Sequence, residues 1–206
     1  MPLRPPIGMA GAGGVEMTIH PTPFPSHAAG DHKGMPYRSL EAIRNGLDER
    51  LKVVRTAKAW MAGDGRTLIL GGPYGIGKST VACWTALHWG TRDGSVSLPI
   101  GYATGADIGM VAPWEVAKMR CWTCEFAVLD DVEGVGDRRQ QVKVEQILVH
   151  RHDQGLWTVM TTNLREHKFT SFVGERVVDR LWLDGAYQWV DGESLRRKRV
   201  DGESLR

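Results

Sequence analysis

The sequence predicts an α/β fold: a five-stranded parallel sheet between helices. Three observations lead there. Five short segments, 67–70, 98–103, 126–129, 156–161 and 187–190, are nearly all apolar, as strands covered on both faces of a parallel sheet must be. Longer segments with apolar residues at helical spacing run between them, so strands and helices alternate. A glycine-rich stretch also links the first strand directly to a helix.

Composition narrows the class before any motif is used. At 206 residues and 42% hydrophobic content, the chain is long enough for one domain with a core of its own. A net charge of +2 does not by itself imply a nucleic-acid partner, although Arg196, Arg197, Lys198 and Arg199 gather basic charge near the C-terminus. That run reads either as a DNA contact or as a solvated tail. Three cysteines cannot build a disulfide framework, and no stretch has the pattern of a signal peptide or the length of a membrane span. A cytoplasmic protein with no membrane association is expected. Cys121 and Cys124 have the spacing of a zinc or redox pair but lack a second pair to complete four ligands. They read as small buried thiols on the approach to a strand.

Along the chain, residues 1–36 hold seven of the ten prolines and much glycine. They are expected to form a disordered tail, because they carry too little apolar surface to offset the entropy of ordering. Residues 37–64 form a helical lead-in, with Ser39 as its N-cap and apolar residues at Leu40, Ile43, Leu47, Leu51, Val54 and Met61. Asn45-Gly46 interrupts the pattern, which fits two helices or one kinked helix. The main unit is expected over 65–190, with helices over 79–89, 140–152 and 175–183. Residues 191–206 form a basic tail in which VDGESLR occurs twice, at 190–196 and 200–206. A ten-residue offset is too short for a solenoid repeat.

The stretch Gly72-Pro73-Tyr74-Gly75-Ile76-Gly77-Lys78-Ser79 fits GxxxxGK[ST], with a strand before it and a helix after it. Its glycines let backbone N–H groups turn inward around phosphates, and the helix N-terminus adds partial positive charge. Gly72 to Thr80 are therefore the candidate nucleotide-binding residues, with Lys78 reaching the β and γ phosphates and Ser79 holding Mg2+. Asp130 and Asp131 end the 126–129 strand. In a P-loop fold that strand is expected beside the first, which brings Asp130 to the metal and Asp131 to the attacking water. Thr161-Thr162-Asn163 ends the next strand, where an uncharged amide on Asn163 can bond the water or the γ phosphate. GERVVDRL, from Gly174 to Leu181, sets Arg176 and Arg180 on one helical face while Val177, Val178 and Leu181 form an apolar stripe. Local pairing with Glu175 or Asp179 is the alternative use of those arginines.

A strand, P-loop and helix, then the Asp-Asp strand, the TTN strand and GERVVDRL, in that order, resemble the AAA+ ATPases. With YATGADI at 102–108 and TTNL at 161–164, the chain is most similar to the family of the helicase loader DnaC and the transposition helper IstB, over about 65–190. The resemblance implies an AAA+ domain without a C-terminal lid, ATP and Mg2+ as cofactors, and a homo-oligomer with ATP sites at subunit interfaces. It also implies that Arg180, supported by Arg176, is an arginine finger entering the neighbour's site. The stretch from Asp107 to Asp130 is shorter than in typical loaders. The function expected is that of an ATPase switch acting on DNA, mainly single-stranded, with a replicative helicase. A helper of transposition working with a transposase, or a nucleotide-gated scaffold with slow hydrolysis, is the alternative. A small-molecule kinase fits less well, because nothing here resembles a substrate lid.

Overall fold

The computed structural model describes residues 34–89, 99–133 and 137–195. Residues 1–33 of the tail expected over 1–36, the basic run 196–199 and the second VDGESLR lie outside the described residues, while Met35 and Pro36 of that expected tail are ordered against the helix that begins at Tyr37. Five strands form one parallel sheet: β1 (Thr67–Gly71), β2 (Ile100–Thr104), β3 (Phe126–Asp130), β4 (Trp157–Thr162) and β5 (Gly185–Trp189). The expected parallel five-stranded sheet is present. Its strand order is β2-β3-β4-β1-β5.

This order corrects one expectation. The strand ending in Asp130 is not beside β1, because β4 lies between them, with Leu68 opposite Val159 on one side and Val128 opposite Val159 on the other. The reason is physical. Strands buried on both faces are compatible with any interior position, so an apolar run does not encode its neighbours.

The helices are α1 (Tyr37–Arg44), α2 (Lys52–Met61), α3 (Lys78–Trp89), α4 (Gly105–Met110), α5 (Arg120–Thr123), α6 (Arg138–Asp153), α7 (Glu166–Val173) and α8 (Glu175–Asp184), with a 3-10 turn at Pro113–Lys118. Side-chain alternation along the strands sorts them into two layers. Leu68, Leu70, Phe126, Val128 and Val159 meet Ile43 of α1, Val53 and Trp60 of α2, and Val81 and Ala82 of α3. Ile69, Ala127, Leu129 and Met160 meet Ile108 of α4, Val144 and Ile147 of α6, Phe169 of α7, and Val177 and Leu181 of α8. Met35, ahead of α1, joins the first of these clusters and is 8% exposed.

Ser39 is not the N-cap of α1. Pro36 takes that position with extended backbone, and its carbonyl accepts from the amides of Ser39 and Leu40. Ser39 is buried in the first turn and faces α3. The break at Asn45-Gly46 does separate two helices, with Asn45 as C-cap and Gly46 left-handed at φ 85°.

Cys121 lies on α5 and Cys124 just beyond it, both buried. Burial pushes the Cys121 thiol up to about 11, which keeps it protonated. Arg151 of α6, 1% exposed, staples this corner. Its guanidinium donates to the carbonyls of Cys121 and Cys124 at 2.8 Å, Glu125 at 3.2 Å and Trp157 at 2.5 Å, and to Thr158 Oγ1 at 2.9 Å. α5, the residue before β3 and the start of β4 are thereby tied to one side chain, whose pKa burial holds down to about 10.

Candidate functional site

β1 and β4 are neighbours whose following helices cover opposite faces, α3 on one and α7 with α8 on the other. A crevice opens outside their carboxyl ends, the position where ligands bind in open α/β sheets. The loop from Gly72 to Gly77 fills one side of it. Gly75 and Gly77 have φ of 84° and 94°, left-handed values that a side chain would strain. The Gly72 amide donates to the Thr162 carbonyl at 3.2 Å, which anchors the start of the loop on β4.

Lys78 opens α3 and is 8% exposed. Its ammonium donates to the carbonyls of Gly72 at 2.7 Å and Pro73 at 2.9 Å and to Asn163 Oδ1 at 2.8 Å. The Tyr74 ring, largely exposed, stands 5.9 Å from it. Ser79 and Thr80 are half-buried in the first turn of α3, with the Thr80 hydroxyl turned toward Ser39 of α1 at 3.4 Å.

The acidic side of the crevice is organised by Thr161. Its hydroxyl donates to Asp130 Oδ1 at 2.5 Å and accepts from the Asp131 amide at 2.9 Å. Tyr102 of β2 donates to the other Asp130 oxygen at 2.8 Å. Burial and the Asp130 charge together raise the Tyr102 phenol above its usual range, so it stays a donor. Asp130 is thus buried, oriented on both oxygens, and within one strand of the loop.

Asp131 has φ 50°, a left-handed conformation that aspartate tolerates better than most residues. The turn buries Val132 and brings Glu133 back toward β4. Asn163 Nδ2 donates to Asp131 Oδ1 at 2.8 Å and to Glu133 Oε1 at 2.7 Å, and the Asn163 amide donates to the same Glu133 oxygen. Partial desolvation raises the Asp131 carboxyl above its ordinary value, with Glu133 and Asp130 adding to the rise. Lys78, Asn163, Asp131 and Glu133 therefore form one hydrogen-bonded chain across the crevice.

Beside the loop lies a cavity of about 170 Å³ walled by Leu51, Val53, Ile76, Val190 and Leu195. The segment after β5 closes it, since Val190 donates to the Gly71 carbonyl at 2.8 Å and Leu195 to the Gly75 carbonyl at 2.9 Å. Its walls are largely apolar, with Lys52, Asp191 and Glu193 also lining it, and it adjoins the Gly72–Gly77 loop.

The structure brings together the predicted loop, Asp130, Asp131 and Asn163. Arg176 and Arg180 stand apart from them. Val177, Val178 and Leu181 are buried as expected, while Arg176 is exposed. Arg180 Nε is 3.5 Å from Asp153 at the end of α6, and its Nη1 donates to the Arg176 carbonyl at 3.2 Å. Its acidic partner is thus neither Glu175 nor Asp179. Asp153 precedes β4 and so lies at the opposite end of the sheet from the loop. Tyr102, Thr161 and Glu133 were not singled out from the sequence. Only Glu133 left a signal there, as a third acidic residue just after the Asp-Asp pair.

By sequence, no protein family and no curated protein matches the chain. Solved structures do. A DnaC helicase loader is 17% identical with a TM-score of 0.56, over 75% of this chain and 99% of that one. DnaI is 19% identical with a TM-score of 0.56, over 76% of this chain and 95% of that one. The replication initiator DnaA, bound to AMPPCP and single-stranded DNA, is 17% identical with a TM-score of 0.56 over 84% of this chain. This chain spans 58% of that initiator's length. The chain therefore shares its α/β fold with these structures. No helix among the described residues is long and apolar enough to cross a membrane.

Proposed function

We propose that the chain is an ATP-binding and ATP-hydrolysing switch of the helicase-loader kind, working on DNA as an oligomer with a replicative helicase. The observation that carries this reading is the continuous chain from Lys78 through Asn163 to Asp131 and Glu133 at the carboxyl end of the sheet. A cation for phosphate and carboxylates for water stand on either side of one neutral amide. The likeness of fold to DnaC and DnaI, spanning nearly the whole of both, favours the loader reading over other uses of a P-loop. The AMPPCP on DnaA supports a nucleoside triphosphate as ligand.

In this reading the triphosphate lies along the Gly72–Gly77 backbone with its base in the cavity beside Ile76. Lys78 exchanges the Gly72 and Pro73 carbonyls for β and γ phosphate oxygens, a charge-assisted replacement of neutral acceptors. The oxygen donors of Ser79 and Asp130 suit Mg2+, and Thr161 and Tyr102 already orient the carboxylate. The ion would neutralise charge on the phosphates. Asn163 orients water or the γ phosphate through its amide, without adding charge. Because Arg180 lies at the far end of its own sheet, it serves a site on a neighbouring subunit, as a permanently charged planar group suited to transition-state phosphate. A contact of this kind makes hydrolysis depend on assembly.

The test is steady-state phosphate release from ATP with no DNA, with single-stranded DNA and with duplex, at two salt concentrations. Stimulation mainly by single strands is expected, weakening at the higher salt as counterion release requires. Stimulation by duplex alone would replace the loader reading with that of a transposition helper. ATP binding without hydrolysis in every condition would leave a nucleotide-gated scaffold.

A further inference from the structure

The Asp131 side chain has the sequence position of the carboxylate that addresses water, yet the structure gives its Oδ1 to Asn163 Nδ2 and sets it on an exposed turn. Two residues later, Glu133 is arranged differently. Its Oε1 accepts both the backbone amide and the side-chain amide of Asn163. Its Oε2 is buried and has no hydrogen-bond donor among the described residues. A buried carboxylate oxygen without a donor is costly, and a catalytic role is one of the explanations such an exception calls for.

The backbone holds this carboxylate in place. The left-handed Asp131 turns the chain, and the amides of Asp131 and Val132 are fixed to the Thr161 hydroxyl and carbonyl at 2.9 and 3.2 Å. The Val132 carbonyl accepts from Gln140 Nε2 at 3.0 Å, and Gln140 is 0% exposed. Glu133 thus leaves a bracket pinned on three sides and returns to the crevice one methylene longer than Asp131. Through Asn163 it is also linked to Lys78, the group that would carry the γ phosphate.

We infer that Glu133, rather than Asp131, supplies the carboxylate that aligns the attacking water and takes its proton, while Asp131 holds the Asn163 amide. This rests on the ATP-hydrolysing reading above. In the step, the water oxygen forms a bond to the γ phosphorus and the bond from that phosphorus to the β,γ-bridging oxygen breaks. The electron pair leaves with ADP. The water proton passes to the Glu133 carboxylate, whose Oε2 turns out of its buried position to receive it, and from there to product phosphate or solvent. The placement explains why a chain with aspartate at the second position of its acidic pair still has a longer carboxylate at the site.

Glu133→Gln separates the two uses of the side chain. The amide oxygen of glutamine still accepts both Asn163 bonds, whereas its nitrogen cannot accept a proton. Binding of a fluorescent ATP analogue and release of phosphate from ATP are measured for wild type, Glu133→Gln and Asp131→Asn. Glu133→Gln is expected to bind within about threefold of wild type and to release phosphate about 100- to 1000-fold more slowly, as loss of a general base requires. Asp131→Asn is expected to keep at least about a tenth of the rate, since an asparagine oxygen still accepts from Asn163. Near-normal release by Glu133→Gln with binding intact would overturn the assignment and leave the nucleotide site standing. An equal loss in Asp131→Asn would overturn it too, returning the role to Asp131. Failure of wild type to bind the analogue would instead remove the ATP reading itself. Should Glu133→Gln not fold, Glu133→Asp decides, because it withdraws the carboxylate by one methylene. A rate unchanged by that retreat would refute the role.

Discussion

Asn163 is the joint of the site, and replacing it by alanine tests the arrangement with one side chain. The substitution removes three hydrogen bonds: from Lys78 at 2.8 Å, to Asp131 at 2.8 Å and to Glu133 at 2.7 Å. All three involve a charged partner and would each contribute about 1.5–3 kcal/mol in a protected setting. Here the crevice is open, Asp131 is exposed, and Lys78 keeps its bonds to Gly72 and Pro73, so the freed groups rehydrate. The net cost to folding is then about 1–2 kcal/mol. The effect on hydrolysis is larger, because a preorganised polar group at the reacting phosphate contributes about 100- to 1000-fold in rate, or about 2.7–4 kcal/mol. Asn163→Ala should therefore bind a fluorescent ATP analogue within about threefold of wild type while phosphate release falls by at least about 100-fold, the pattern of an interaction made in the transition state. The assay is titration of the analogue alongside phosphate release at saturating ATP, with a thermal melt as control for folding. A fall in rate below about fivefold, or a loss of affinity as large as the loss of rate, would refute the reasoning.

Two further outcomes follow from the charges. The Asp131 carboxyl is raised from its ordinary 3.8, so the native state binds protons more tightly than the unfolded chain and stability declines as pH rises through that window. Asp131→Asn lacks the penalty and tolerates the left-handed turn, so its melting temperature should exceed that of wild type at pH 7, with the gap closing as pH falls toward 3.8; a gap of constant size at both ends would contradict this. Arg180→Ala gives up an ion pair with Asp153, worth about 1 kcal/mol or less, and an exposed bond to the Arg176 carbonyl. It should stay folded and bind nucleotide while losing hydrolysis, and mixing it with Lys78→Ala protein should restore part of the rate. No recovery at any mixing ratio would argue against a site shared between subunits.

What the sequence made legible was whatever is local. The loop from Gly72 to Ser79 carries its own chemistry, and the strands ending in Asp130 and Thr162 announce themselves as short, mainly apolar segments. The order of those strands was not legible, because β3 and β4 are buried alike and either could adjoin β1. α4 and α5 escaped notice for another reason: six and four residues are too few to show a helical period, and α4 is specified instead by a capping box between Thr104 and Asp107. α7 was hidden by Thr170 and Ser171, whose hydroxyls bond carbonyls four residues back and which read as loop formers. Within the site, Glu133 depended on a turn whose left-handed residue is aspartate rather than glycine. Tyr102 and Thr161 reach Asp130 from two other strands, so only the assembled sheet brings them to it.

The most direct test of the central claim compares phosphate release from ATP, with magnesium present, by wild type and by Lys78→Ala. Lys78 is bonded into both the glycine loop and Asn163. Its loss should abolish release and weaken binding of the fluorescent analogue, since no other described group replaces a charge at the β and γ phosphates. Turnover by Lys78→Ala equal to that of wild type would contradict the account at its root.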